Sequence, residues 1–157
     1  MHQRTDPCPN ILAFKPPRIA ASLMLAAAAL QLAAPMMWPP LVALLLAGIL
    51  AGTLGFAIML RAWWLFRIAD TAVCPTAPTT DLITTDIYRL SRNPMYLGIV
   101  LMMLGVGIAT GSPPFYLAAV AFFLIIDFAF CPYEERKLER AFGSRFTSYC
   151  DEVRRWL

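Results

Sequence analysis

Long apolar runs alternate with short polar stretches along this chain, and four of the runs approach the length of a membrane-spanning helix. Within each run the apolar residues are nearly continuous and do not follow one helix face, which is typical of helices surrounded by lipid. A helix needs about 20 such residues to cross a bilayer. The pattern therefore predicts an all-α integral membrane protein with four transmembrane helices, at about 19–36, 41–62, 94–110 and 114–131.

The composition agrees with a small membrane protein. Hydrophobic residues make up 59% of the 157 residues and charged residues 15%, whereas a soluble domain carries about 25% charged residues. A signal peptide is an alternative interpretation of the first run. The polar leader is long for that role, however, and the Leu-Ala-Ala sequence before Pro35 is a poor cleavage site. We therefore expect a retained helix and a single domain over residues 1–157.

The basic residues predict the topology. Of the 13 Lys and Arg residues, three precede the first run, four lie between the second and third runs (Arg61, Arg67, Arg89 and Arg92) and six follow the fourth. Basic residues concentrate on the cytoplasmic side of membrane proteins. Both termini and the central loop, residues 68–92, are therefore predicted to be cytoplasmic, and the helices form two hairpins. The net charge of +3 is dispersed, which argues against a nucleic-acid-binding protein.

Residues 132–157 predict a cytoplasmic tail of amphipathic helices. Pro132 and Glu134 suit a first helical turn, since proline loses no hydrogen bond there and a carboxylate favours the helix N-terminus. Gly143 is expected to end this helix and Ser144 to cap the next. The tail either lies on the inner leaflet or packs on the protein; Glu134 favours packing, because a carboxylate on an apolar face needs a partner. The apolar stripe of the second helix comprises Phe146, Tyr149, Val153 and Trp156.

The stretch Tyr88–Gly98 lies where a polar loop meets the third apolar run. Asn93 followed by Pro94 is a favourable helix start, with Asn as cap and Pro at the first helical position. Arg89 and Arg92 come just before it, so two guanidinium groups meet the positive end of a helix. That combination suits an anionic group. The alternative is that both arginines only mark the cytoplasmic edge of the membrane.

Asp127 is the one carboxylate within a predicted span. Such residues are costly and often functional. Near the cytoplasmic end of the fourth helix, Asp127 either closes a packing interface or faces a water-filled pocket. No metal site is expected, because the chain has a single histidine, His2, and no paired cysteines. We interpret the cysteines as free thiols or packing residues: Cys8, Cys74, Cys131 and Cys150.

Several motifs in the C-terminal half, from Leu82 onward, together resemble the isoprenylcysteine carboxyl methyltransferase family, especially its short bacterial members. The wider group includes the membrane phospholipid methyltransferases. The pairing of an Arg-(His or Asn)-Pro-x-Tyr-x-Gly motif with a later Glu-Glu pair is specific, whereas either half alone is weak. In chain order the motifs are Tyr88–Gly98, Glu134-Glu135-Arg-Lys-Leu138, Phe142-Gly143, Tyr149, Val153 and Arg155-Trp156.

The resemblance implies S-adenosylmethionine as cofactor, bound between the two motifs at the cytoplasmic end of the helices. It also implies a multi-pass protein of a bacterial cytoplasmic membrane. The expected acceptor is a carboxylate of a lipidic or small hydrophobic molecule, entering sideways from the bilayer. Candidate catalytic residues are Arg92, Glu135 and Asp127. The implied cofactor-binding positions are Tyr88, Arg92, Asn93, Pro94, Tyr96, Gly98, Glu134 and Glu135.

Two departures from the family pattern bear on activity. Asp86 stands where the family usually has Gly, so it is expected to alter the loop and weaken anion binding. Asn93 stands where many members have His, and Asn cannot act as a base. An ionised carboxylate acceptor needs no base, whereas a thiol or amine acceptor needs one, with Glu135 or Asp127 as candidates.

Other functions remain open from the sequence. Within the same superfamily the alternatives are a phospholipid N-methyltransferase and a thiol S-methyltransferase. Outside it, four short helices with Asp127 in a span suit a small transporter, which leaves the paired motif and the amphipathic tail unexplained. A non-catalytic membrane scaffold is the remaining alternative.

Overall fold

The computed structural model describes residues 16–36, 41–69 and 81–157. The predictions for His2, for the first two cysteines and for residues 70–80 of the central loop lie outside these ranges. None of the described residues forms a strand, so the all-helical prediction is confirmed for this part of the chain. The helices are α1 (Pro16–Ala33), α2 (Val42–Ile68), α3 (Pro94–Thr110), α4 (Pro113–Ile125), a π-helical turn (Ile126–Phe130), α5 (Cys131–Phe142) and α6 (Ser144–Glu152), with a short 3₁₀ helix at Asp86–Arg89 before α3.

Among the described residues, three helices are long and apolar enough to cross a membrane: α1, α2 and the continuous helix Pro113–Phe142. α3 is also apolar but has only 17 residues. Large apolar side chains cover the outer faces of these helices, and Leu32 and Phe128 expose 83% and 75% of their surface. Lipid accepts such a surface, whereas water does not. The chain is therefore a helical membrane protein.

The helix ends differ from the predicted bounds for local reasons. α1 ends at Ala33 and not at residue 36, because Pro35 disfavours the helical conformation at the residue before it. α2 continues to Ile68, six residues past the predicted end at 62, because neither Gly nor Pro interrupts the sequence there. This extension carries α2 beyond the start of α3, alongside residues 86–89.

The fourth apolar run and the first helix of the tail form one continuous helix, Pro113–Phe142, with a π-helical turn where a break was expected. Pro132 has no N–H, and its ring would clash with the carbonyl four residues earlier in a regular α-helix. The turn widens just before it: the Cys131 N–H donates to the Ile126 carbonyl, five residues back. The helix thus passes the proline, and Asp127 lies within the widened turn.

Glycines allow α2 and α3 to pack closely as antiparallel neighbours. A Cβ atom added to Gly98 would lie 2.5 Å from the carbonyl oxygen of Gly55, and one added to Gly48 would lie 2.6 Å from the carbonyl oxygen of Gly105. Side chains at these positions would force the helices apart. Gly98, one of the implied cofactor-binding positions, therefore lies in the close contact between α2 and α3.

The helical tail folds back onto the segment before α3. A buried apolar cluster contains Leu82 with Phe146, Tyr149 and Val153, so three members of the predicted stripe pack together. The fourth, Trp156, packs instead against the main core. Ser144 is not a cap; Gly143 occupies the cap position of α6 with φ of 53°. These contacts support packing on the protein over the inner-leaflet interpretation of the tail.

Candidate functional site

The last residues of the chain lie across the start of α3. The Arg92 N–H donates to the Arg154 carbonyl at 3.0 Å. The Ser91 hydroxyl and the Asn93 side-chain amide both donate to the Arg155 carbonyl, at 3.2 and 3.1 Å. Three successive residues before α3 thereby bind the backbone of two residues after α6. We call residues 153–156 the C-terminal strap.

Asn93 occupies the predicted position but has a different role. It is the N-cap residue of α3, with Pro94 next, yet its side chain makes no capping hydrogen bond. Its amide is used for the strap, and its own N–H donates to Ser91 Oγ at 3.1 Å. Side-chain capping was therefore the wrong prediction. The contact with the strap uses Asn93 Nδ2 as a donor, whereas a cap would use Oδ1 as an acceptor.

Glu135 lies between two guanidinium groups. Its Oε1 accepts from Arg92 Nη2 and from Arg155 Nε, each at 3.0 Å, and its Oε2 accepts from Arg155 Nη2 at 2.6 Å. Arg155 thus forms a two-bond fork with this carboxylate, whereas Arg92 supplies a single bond. The Arg92 side chain is only 15% exposed. Hydrogen bonding to Glu135 raises the pKa of Arg155, so Arg155 remains charged.

Asp127 is paired with the same strap. Its Oδ1 accepts from Arg155 Nη1 at 3.1 Å and from the indole N–H of Trp156 at 2.9 Å. The Trp156 ring packs against Phe123 with 4.8 Å between ring centroids. These contacts support the packing-interface interpretation of Asp127 over the water-filled pocket.

Glu134 has the partner that its position required. The Tyr96 hydroxyl donates a short hydrogen bond to Glu134 Oε1, joining the first turn of α3 to the first turn of α5. Tyr96 is otherwise buried, with 8% of its surface exposed. The two sequence motifs therefore meet at two contacts, Tyr96 with Glu134 and Arg92 with Glu135.

Tyr88 is buried beside this cluster. It is 6% exposed, its ring meets Phe66 of α2 edge-on at 5.8 Å, and its carbonyl accepts a hydrogen bond of 2.6 Å from the Tyr149 hydroxyl. Burial raises the pKa of both tyrosines, so both remain neutral. Tyr88 thus links α2, the loop and α6.

Asp86 is accommodated by its backbone and by Arg61. Its φ of 59° lies in the left-handed region, which favours glycine and tolerates Asp better than most residues. Its Oδ1 accepts from Ile87 N–H at 2.7 Å and from Arg61 Nε at 3.3 Å. The hydrogen bond from Arg61 lowers the pKa of Asp86. The acid is therefore paired with Arg61.

The sequence motifs contain most residues of this cluster, Arg155 and Trp156 among them, but no role at the site was predicted for these two. Arg155 links Asp127, Glu135 and Asn93, although sequence reasoning gave it no role. Ser91 and Trp156 were also missed as contacts. The sequence feature that could have indicated a role for Arg155 was Asp127, because a carboxylate in an apolar run requires a cation or hydrogen-bond donors as partners. The described residues contain no group of three His, Cys, Asp or Glu that could hold a metal ion.

Comparison with known proteins decides the family. Residues 43–145 match the phospholipid methyltransferase family. The chain belongs to this family. The match covers α2 to the start of α6 and confirms the resemblance inferred from the paired motifs.

This phospholipid methyltransferase family member also resembles plant enzymes. It is 33% identical over 75 residues to protein-S-isoprenylcysteine O-methyltransferase A of Arabidopsis thaliana, covering 46% of this chain and 36% of that protein. It is 36% identical over 75 residues to a probable protein-S-isoprenylcysteine O-methyltransferase of Oryza sativa subsp. indica, covering 46% and 38%. The matched part therefore spans little more than a third of these relatives.

A bacterial relative is matched over its whole length. An uncharacterized protein of Haemophilus influenzae is 35% identical over 63 residues, which is 40% of this chain and 100% of that protein. No solved structure matches the chain.

Proposed function

We propose that this protein is an integral membrane methyltransferase that uses S-adenosylmethionine and methylates a carboxylate of a lipidic or small hydrophobic acceptor. The observation that carries the proposal is the meeting of the two family motifs, through Arg92 with Glu135 and Tyr96 with Glu134. Family membership and the plant relatives support the reaction class.

The residues present fit this methyl donor. Its carboxylate requires a cationic donor, and the buried Nε of Arg92 has no hydrogen-bond partner within the described structure. Arg92 also lies just before the N-terminus of α3, where backbone N–H groups favour an anion. The Glu134 carboxylate suits an ammonium or ribose hydroxyls. The rings of Tyr88 and Tyr96 suit the adenine or a sulfonium, since a ring face attracts a cation.

The donor supplies a methyl group that its sulfonium charge has already activated. The protein's part is then to align the acceptor and exclude water. In this proposal Arg92 and Glu134 orient the donor, Glu135 orients Arg92, and Asn93, Pro94 and Gly98 shape the start of α3. The close α2–α3 packing at Gly98 supports a scaffolding role there.

A carboxylate acceptor agrees with the hydrogen bonds that the acidic residues Glu135 and Asp127 already accept. Both oxygens of Glu135 accept hydrogen bonds from guanidinium groups, and Asp127 accepts from Arg155 and Trp156. Both Glu135 oxygens and Asp127 Oδ1 therefore already accept hydrogen bonds from protein donors. An acceptor already ionised at neutral pH needs no base, whereas a thiol or amine does. The pairing of Asp127 also argues against the transporter, which needs an intramembrane acid free to exchange its proton.

The proposed site faces the cytoplasm. Four spans with both termini and the central loop on that side follow from the distribution of basic residues. Arg92, Glu135 and Arg155 all lie at that end of the helices. A lipidic acceptor then reaches the site from the bilayer between helices.

Donor binding tests the proposal. Calorimetry on the detergent-purified protein should show binding of S-adenosylmethionine that Arg92→Ala, Glu134→Ala and Glu135→Ala each weaken. An exposed arginine, Arg145, offers a matched control in Arg145→Ala. A screen of acceptors with a labelled methyl group should then yield a base-labile methyl ester. A folded wild-type protein that binds no donor would favour the scaffold, and proton-coupled uptake lost in Asp127→Asn would favour the transporter.

A further inference from the structure

Arg155 makes polar contacts through both its side chain and its backbone, and the proposed function gives it no role. Its guanidinium donates to Glu135 and Asp127, and its carbonyl accepts from Ser91 and Asn93. It lies beyond α6, which ends at Glu152, where Val153 is already extended with φ of −126°. An irregular C-terminal segment therefore connects the π-helical turn, α5 and the start of α3.

We propose that Arg155 is a positioning residue, and that the C-terminal strap completes the methyl-donor site by fixing Glu135 and Asn93. This inference rests on the proposed function. Arg155 acts through its neighbours: its side chain sets the orientation of the Glu135 carboxylate, and its carbonyl sets that of the Asn93 amide.

The division of hydrogen bonds at Glu135 carries the argument. Arg155 donates two hydrogen bonds to the carboxylate, from Nε and Nη2, at 3.0 and 2.6 Å. Arg92 is left with one bond to Glu135, through Nη2, and its side chain also forms a hydrogen bond with Cys150. A planar guanidinium that forms only one bond to a carboxylate keeps donors for another anion. Without Arg155, Arg92 is free to turn and form the two-bond pair with Glu135 itself, and its donors are then lost to a ligand.

The other contacts hold the strap in place. Asp127 binds Arg155 and the Trp156 indole N–H together, and the Trp156 ring packs on Phe123. Arg92 N–H donates to the Arg154 carbonyl, so the backbone of the strap is tied as well. Arg155 thus loses little conformational freedom when it binds Glu135, which is what preorganisation of a site requires.

The test compares three variants of the full chain in detergent. Arg155→Gln removes the charge and the fork, and Arg155→Lys keeps the charge without the fork. Arg145→Gln is the matched control, because it makes the same charge change at an exposed side chain of α6 that lies outside the strap. The dissociation constant of S-adenosylmethionine, the acceptor KM and the melting temperature are measured for each.

We expect Arg155→Gln to weaken donor binding about tenfold, the scale of a lost charged hydrogen bond. Arg155→Lys should weaken it less, and the acceptor KM should stay unchanged. Arg145→Gln should match wild type. A role in folding alone would instead lower the melting temperature and leave the donor affinity of the folded fraction intact.

Failure of this inference differs from failure of the proposed function. A folded wild type without donor binding overturns the methyltransferase assignment. Wild-type binding that is equalled by folded Arg155→Gln overturns the positioning role. If Arg155→Gln does not fold, Arg155→Lys is the deciding variant. Donor affinity equal to wild type in Arg155→Lys would overturn the inference. Weakened donor affinity with an unchanged acceptor KM would support it.

Discussion

Asp86 and Arg61 form an ion pair at a strained point of the backbone. Arg61 donates from Nε and Nη2 to the two carboxylate oxygens, and Asp86 has φ of 59°. The position favours glycine. The ion pair and the hydrogen bond from the Ile87 N–H help to hold an acidic residue in this conformation.

The first prediction concerns the strain at Asp86. Asp86→Gly should keep the melting temperature close to wild type, because glycine adopts positive φ without steric cost. Asp86→Ala should lower the melting temperature more than Asp86→Gly does, because alanine keeps the strained backbone conformation and loses the side-chain hydrogen bonds. Thermal unfolding in detergent measures both. A melting temperature for Asp86→Gly below that for Asp86→Ala would contradict the explanation.

The second prediction concerns pH. The pKa of Asp86 is lowered by its hydrogen bond with Arg61, so the pair stabilises the fold at a pH above the unfolded pKa of about 3.9. That stabilisation is lost as the pH falls through the lower folded pKa. Wild type should therefore melt above Arg61→Gln at neutral pH, and the difference should shrink in strong acid. A difference that grows toward acid would exclude this origin.

The third prediction concerns helix packing. Gly98→Ala should destabilise the protein by about 1–3 kcal/mol, as overpacking does, because its Cβ would lie 2.5 Å from the Gly55 carbonyl oxygen. Gly52→Ala is the matched control, since a Cβ there meets nothing within 4 Å. Chemical denaturation in mixed micelles compares the two. Equal stability of both variants would mean that α2 and α3 do not approach each other closely at Gly55 and Gly98.

The fourth prediction concerns Asp127. Asp127→Asn should cost about 1 kcal/mol, because an amide oxygen still accepts from Trp156 but pairs poorly with Arg155. Donor affinity should fall by less than in Arg155→Gln, which disturbs Glu135 directly. Asp151→Asn, at an exposed position on α6, controls for the charge. Complete loss of donor binding in folded Asp127→Asn would instead place Asp127 in contact with the donor.

The fifth prediction separates the acceptors. If the acceptor is a carboxylate, methyl transfer at saturating donor should be nearly flat from about pH 6 to pH 9, since the acceptor is ionised throughout. A thiol or amine acceptor would give a rate that rises through its own pKa. The profile is measured on the purified enzyme with each acceptor found in the screen.

The sequence by itself determined the class of the protein. Continuous apolar runs require helices in lipid. A helix satisfies its own backbone hydrogen bonds, and lipid accepts the leucine side chains that it exposes. Local chemistry was also readable from single positions. Pro94 begins α3, and Glu134 on an apolar face needed a partner, which is Tyr96. The paired motifs identified the family.

Only the tertiary structure decided how the site is assembled. Asp127, Glu135 and Arg155 meet because the strap turns back after α6, and no periodicity within a helix encodes that direction. The approach of α2 to α3 likewise joins Gly55 and Gly98 from distant parts of the chain. Spacing along a sequence predicts which residues share a helix face, whereas contacts between elements depend on packing that the whole fold must satisfy at once.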